Sequence, residues 1–212
     1  MLQLGDLYGN KRLIIRMKNT KIIKYTLILM VIMFFLSFSF KKNDRVLWHK
    51  RNIITWNDFR VVTQLSGNEK AITETHISNN GSKIKKDIII FKINCYLSRN
   101  KSVVLNDVIE DNVISDNILK HEQGHFDITE IYARKIRRRL KKTIFTKNSF
   151  NNTVKSIWDK SLKELDAFQD LYDTQTEHSI NKEKQAEWNK RIAQELAELD
   201  DYKDVEVICK IE

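Results

Sequence analysis

The sequence contains no proline, five glycines and two cysteines in 212 residues. The absence of proline excludes collagen-like segments and polyproline linkers, and the scarcity of glycine leaves most turns to Asn, Asp and Ser. Cys95 and Cys209 are too few for a disulfide scaffold and lack the paired spacing of a cysteine zinc site. They can form one bridge in an oxidising compartment or both stay reduced in a core. No internal repeat, linker or low-complexity segment is visible.

Charge is also absent from most of the chain as a net quantity. The formal net charge is +9, but residues 1–42 hold eight Lys and Arg against one acid, a net of +7. Residues 43–212 keep 29 basic and 27 acidic residues, a net of only +2, so a nucleic-acid footprint on the main domain loses its support. Lys11, Arg12, Arg16, Lys18, Lys21 and Lys24 precede the sixteen uncharged residues Tyr25–Phe40, and Lys41 and Lys42 follow them. A basic stretch followed by an apolar run is the physical form of a secretory signal.

At ~1.5 Å per residue the run spans about 24 Å, short of the roughly 30 Å hydrocarbon core, so a membrane anchor would have to extend over residues 22–40 with Lys24 snorkelling. Ser37-Phe38-Ser39 offers small residues for cleavage, and Met17 would begin a more typical signal. Either way the N-terminal cations stay inside and residues 43–212 go out, to the periplasm or cell envelope. The expected division is a leader, 1–42, that contacts the membrane if uncleaved, and a main domain, 43–212.

In the main domain, residues 53–62, 71–78 and 83–97 are rich in β-branched and aromatic residues and read as strands, with Asn80-Gly81 as a hairpin turn. From about Asp111 the period becomes helical and continues to about Leu140; further helices are expected over 152–171 and 182–199, and a short strand in the tail from Val205. Strands first and helices after predicts an α+β fold.

The first helix carries His121-Glu122-Gln123-Gly124-His125, an HExxH pattern. Positions i and i+4 share a helix face, so both imidazoles can address one ion, and Glu122 lies about 100° around the helix, within reach of a bound water. Two imidazoles, a third protein ligand and a water suit catalytic Zn²⁺, with Glu122 as general base. The third ligand is not expected from the same helix, because Glu130 and Asp127 point elsewhere and Tyr132, which shares the histidine face, is a poor zinc ligand. His178 is the first choice, with Glu177 and Asp173 behind it; His76 is a weaker rival and His49 sits too near the leader.

Residues 134–142 hold seven basic residues in nine, either an anchor for anionic envelope polymers or a solvated helix end complementing the helix dipole. Trp48, Trp56, Trp158 and Trp188 are scattered as core residues would be.

These residues resemble a bacterial family, domain of unknown function 922. Ile54-Thr55-Trp56-Asn57-Asp58-Phe59 is similar to its opening pattern, Ala71-Ile72-Thr73 to its next strand, and Leu119–Arg134 to its motif helix. Tyr172-Asp173, Thr176, His178, Gln185 and Trp188 are similar to its tail. The likeness covers most of 52–203, departing at Ser102-Val103 and at Ser179, where the family pattern has Ser-Trp and Gly.

The resemblance implies an exported, zincin-like, zinc-dependent protease with His121, His125 and His178 as metal ligands and Glu122 catalytic. The expected function is therefore hydrolysis of peptide bonds with a zinc-activated water. The alternative is a catalytically silent zinc-binding or envelope-binding module. Peptides or proteins are the expected partners, and nucleic acid is not.

Overall fold

A computed structural model describes residues 43–49, 53–67, 69–85 and 87–212. The leader, and with it the expected signal or anchor, lies outside the described residues. No helix among the described residues is long and apolar enough to cross a membrane.

The fold is α+β, with a mostly antiparallel strand region followed by helices. β1 (Arg45–Leu47), β4 (Thr75–Lys85), β5 (Ile88–Ser98) and β7 (Glu206–Lys210) form one sheet. β5 is central: β4 runs antiparallel along one side, while β1 and β7 share the other, at its C-terminal and N-terminal ends respectively. β5 earns the centre by alternation, since Ile89, Phe91, Ile93, Cys95 and Leu97 all point to the same buried face. A second sheet joins β2 (Arg60–Val62) in parallel, and β3 (Ala71–Ile72) in antiparallel, to β6 (Val103–Leu105).

Two strand expectations are corrected. Within 53–62, Trp56–Asp58 is a 3₁₀ turn and only the end is strand. Asn80-Gly81 is a bulge, not the hairpin turn. Asn79 pairs with Ile93 and Ser82 with Phe91, so two residues of β4 stand opposite one of β5. Gly81 takes φ 122°, its N–H bonded to Asn79 Oδ1, and the strand continues to Lys85 before turning at Asp87.

The cysteines are both free and buried. Cys209 lies opposite Ile89, six residues along β5 from Cys95, about 20 Å at the ~3.3 Å rise of a strand, so a bridge is excluded.

Four helices follow: α1 (Asn106–Glu110), α2 (Asn112–Lys142), α3 (Phe150–Thr176) and α4 (Lys182–Glu198). α2 is the central helix of residues 44–212, and no residue from His121 to Leu140 is exposed. One of its faces lays Phe126, Ala133, Ile136 and Leu140 on the sheet. The other packs Ile128, Ile131 and Tyr132 against Leu165 and Tyr172 of α3 and Trp188 and Ile192 of α4. Each such side chain contributes about 1.5–3 kcal/mol on burial.

A helix enclosed on both faces must pair the cations it encloses, so the solvated-end reading of 134–142 holds only for the last turn, where Lys141 and Lys142 are exposed. Arg134 and Arg137 are 3% and 1% exposed. Glu130 accepts from both, and Arg137 also donates to the carbonyls of Ile93 and Tyr202, tying α2 to β5 and to the segment before β7. Lys135 pairs with Glu195 on α4, and Arg139 with Glu164 on α3. The tryptophans are structural: Trp48 donates to Asp127, Trp56 to Ser115 and Trp188 to Gln175.

Glu130→Ala should strand two buried cations and cost about 3–5 kcal/mol in urea denaturation. A loss under about 1 kcal/mol would contradict the pairing described.

Candidate metal centre

His121 and His125 stand one turn apart on α2, with Nε2 atoms 3.1 Å from each other. Asp173, on the last turn of α3, brings Oδ1 to 3.1 Å from the first and 2.9 Å from the second. The three donor atoms thus form a nearly equilateral triangle. A tetrahedral ion with bonds of about 2.0–2.1 Å spaces its ligands about 3.3–3.4 Å apart, so the triangle needs only slight opening to hold one.

Each imidazole is oriented by its other nitrogen. His125 Nδ1 meets Gln169 Oε1 at 2.7 Å, while Gln169 Nε2 donates to the His125 carbonyl. A carbonyl only accepts, so the amide orientation is decided: Nδ1 carries the proton and Nε2 offers its lone pair. His121 is set the same way through a longer relay. Tyr172 donates its hydroxyl to the His121 carbonyl at 3.1 Å, so it must accept from Gln185 Nε2, which turns Gln185 Oε1 toward His121 Nδ1 at 3.0 Å. Two lone pairs and a carboxylate oxygen then face one point, a donor set suited to a cation.

Gly124 makes this relay possible. A Cβ there would lie 2.2 Å from the Tyr172 hydroxyl oxygen and 2.8 Å from its ring carbon Cζ. Without one, the Tyr172 ring reaches α2 and stacks on His121, with centroids 4.6 Å apart and planes within 15°. Burial pushes the Tyr172 hydroxyl well above its ordinary pKa, keeping the donor protonated.

The electrostatics of the metal-free cluster follow from the same contacts. Burial opposes charge on His125, but the hydrogen bond to Asp173 and the Glu122 and Asp173 carboxylates together raise it to about 9. Burial would raise Asp173, yet its bonds to both histidines hold it well below the usual carboxylate range. A proton on His125 thus supplies positive charge where an ion would otherwise sit.

Glu122 is 3% exposed and opens into the same cleft, where Thr73 Oγ1 donates to its Oε2 at 2.5 Å. The cleft, about 260 Å³, runs between the segment 69–75 and α2 and has His121, Glu122, His125 and Asp173 in its wall.

His178 reaches this rim, Nδ1 3.8 Å from Asp173 Oδ1, but it is half exposed. It groups with His121 and Asp173 as a set that could hold a metal ion. Its link is strained: Glu177, His178 and Ser179 take φ of 51°, 50° and 77°, each costly for a residue with a Cβ. Asn181 then restarts the chain by capping α4 through Lys184 N.

The structure therefore brings His121, Glu122, His125, Asp173 and His178 together, with Asp173 nearer both imidazoles than His178 is to Asp173 itself. Glu177 instead ends α3, its carboxylate accepting from Asn181. His76 pairs with Glu74 and rests on Tyr96 across β5, while its neighbour Thr75 is the residue bonded to Thr129 on α2. Tyr132 packs on Phe168 beneath Lys135, away from the cluster.

Thr73 and Gln169 were not legible as site residues, and Gln185 entered only through the resemblance. The usable signal was in α3. Gln169, Tyr172, Asp173 and Thr176 recur at i, i+3, i+4 and i+7, a polar stripe on the face that meets α2.

The family model described as "Bacterial protein of unknown function (DUF922)" matches residues 71–179, just over half of the chain. The chain belongs to the DUF922 family. No curated protein and no solved structure matches it. The DUF922 match is narrower than the resemblance read from residues 52–203, leaving out Ile54–Phe59, Gln185 and Trp188. It nevertheless contains every donor of the cluster, from Thr73 to His178.

Gly124→Ala should lower stability by about 1–3 kcal/mol, because Tyr172 must leave its place. An unchanged urea midpoint would contradict the close approach.

The His125–Asp173 pair also gives the metal-free protein a pH signature. With a raised folded pKa, His125 contributes fully below its unfolded value of about 6.5, and this contribution fades as pH rises through about 9. The lowered Asp173 contributes above its unfolded value of about 4, so the pair stabilises most between about pH 4 and 6.5. After chelation, urea midpoints should fall between pH 6 and 9.5, and Asp173→Asn should flatten that fall. Equal pH dependence in both proteins would remove the pair as its cause.

Proposed function

We propose that this DUF922 protein is an exported zinc metallopeptidase, with His121, His125 and Asp173 as the ligand triangle, His178 beside it and Glu122 as the general base. The observation that carries the reading is the convergence of two oriented imidazole lone pairs and a carboxylate oxygen beside a buried, separately held glutamate. Export rests on the basic stretch and apolar run of residues 1–42.

The donor chemistry fits Zn²⁺, which takes two histidines and a carboxylate readily and leaves a position open. When bound, Zn²⁺ would polarise a peptide carbonyl and lower the pKa of a water. The protein's own groups do the rest. A peptide would lie in the cleft beside residues 69–75, where Glu122 can take the proton of the attacking water and return it to the leaving amine.

Thr73 holds one carboxylate oxygen, leaving the other for that water. His178, half exposed at the rim, can donate a hydrogen bond to the charge developing on the carbonyl oxygen. Gln169, Gln185 and Tyr172 are positioning residues, acting on the reaction only through the imidazoles.

A second reading is favoured by the proximity of His178 to Asp173. Were His178 to swing inward as a fourth protein ligand, the site would be closed and structural, and the protein a catalytically silent metal-binding module.

Elemental analysis and peptide-library cleavage separate the two readings. Wild type should hold about one zinc per chain and cut peptides. Glu122→Gln should keep the zinc and lose at least about a hundredfold in cleavage rate. Asp173→Ala should lose most of the zinc, whereas His178→Ala should retain it and lose activity. A zinc-loaded wild type that cuts nothing, together with zinc loss in His178→Ala, would establish the closed site instead.

A further inference from the structure

We propose that the hollow adjoining the cluster is a pocket for a large apolar side chain of the peptide, next to the bond that is cut. The proposal rests on the peptidase reading above and names the class of substrate it would take.

A second cavity of about 690 Å³ opens beside the metal cleft and shares with it Lys70, Ile118, Asp173 and His178. The two cavities are therefore adjacent, with these four residues as their common wall, so a chain lying in the cleft passes beside the hollow. Three isoleucines give the hollow its apolar surface, among polar neighbours that include Asn117, Glu177 and Lys182. Ile118 is buried, but Ile114 is 51% exposed and Ile180 is 74% exposed, and both line the hollow. Water gains nothing from large aliphatic groups gathered around one opening, and such groups beside a polar site mark the place where a ligand's apolar surface is covered. The cleft's own wall at Thr73-Glu74-Thr75, which does not line the hollow, offers hydroxyls and a carboxylate instead. The asymmetry makes the preference one-sided, for an apolar side chain on one flank of the reacting carbonyl.

The wall that holds Ile180 is also the link that holds His178. The three left-handed residues at 177–179 join them, and this geometry is held by the His178 N–H bond to the Asp173 carbonyl and the Asn181 N–H bond to the Thr176 carbonyl. Filling the pocket against Ile180 would thus bear directly on the segment that presents His178 at the rim.

The test measures binding, so it does not depend on turnover. Two fluorescein-labelled peptides of Ala and Gly, identical except for one Phe or one Asp, are titrated by anisotropy against full-length Glu122→Gln protein supplied with zinc. The Phe peptide should bind at least about tenfold more tightly, the effect of covering one large apolar side chain. Ile114→Asp and Ile180→Asp, both at exposed positions, should each remove most of that preference with zinc content unchanged. A benzoylphenylalanine version should cross-link to Ile114, Ile118 or Ile180.

Equal binding of the two peptides, including no binding of either, would overturn the proposal. So would a Phe preference that survives both Asp substitutions, or cross-links confined to residues 73–75. The two levels fail separately. A Phe preference in a protein whose wild type cuts nothing would leave the pocket and remove the peptidase, whereas cleavage at bonds with no apolar neighbour would do the reverse.

Discussion

The backbone carbonyls of His121 and His125 decide which nitrogen of each imidazole carries the proton. Each is a fixed acceptor on a buried helix, and each holds an amide in one orientation, the first through Tyr172 and Gln185, the second through Gln169. Were either amide reversed, a protonated Nε2 would point at its neighbour and the triangle of donors would lose its affinity for a cation. The HExxH spacing puts two histidines on one face; hydrogen bonds from α3 and α4 turn them into ligands.

That constraint explains how the surrounding fold is arranged. The relay works only with α3 close against α2, and the side-chain-free surface at Gly124 permits the approach. α2 is then enclosed by the sheet on one side and by two helices on the other, so its polar groups must be satisfied internally. Glu130, Arg134 and Arg137 meet that need at one end of the helix, and the histidine network meets it at the other. Desolvation that would be costly for isolated groups becomes a source of fixed geometry once each has its partner.

The order of strands and helices, and the pairing of two histidines with a glutamate on a helix, were legible because both follow from period alone. The end of α3 was not. Asp173, Thr174 and Thr176 are weak helix formers and the segment reads as a link between helices, but packing of Tyr172 and Thr176 against α2 keeps it helical. Asp173 was consequently ranked behind His178, since a loop position says nothing about the distance to a histidine.

The cations of 134–142 divide for a related reason: Lys141 and Lys142 are exposed as at a solvated helix end, whereas Arg134 and Arg137 are buried. A charged run has the composition of a surface, and only tertiary structure shows that Arg137 is enclosed beside Glu130. Asn80-Gly81 had the chemistry of a turn and was used for a bulge, because the strand's pairing with β5 continued past it. Gln169 is legible only as the first member of the polar stripe that runs to Thr176.

The most direct test of the account is the zinc K-edge absorption spectrum of the metal-loaded protein. It should show nitrogen and oxygen ligands at about 2.0–2.1 Å with the multiple scattering of at least two imidazoles. Asp173→Ala should lose the metal or the first-shell intensity of one oxygen. A spectrum of oxygen ligands alone, or a protein that takes up no zinc after supplementation, would contradict the assignment of His121, His125 and Asp173 as a metal centre.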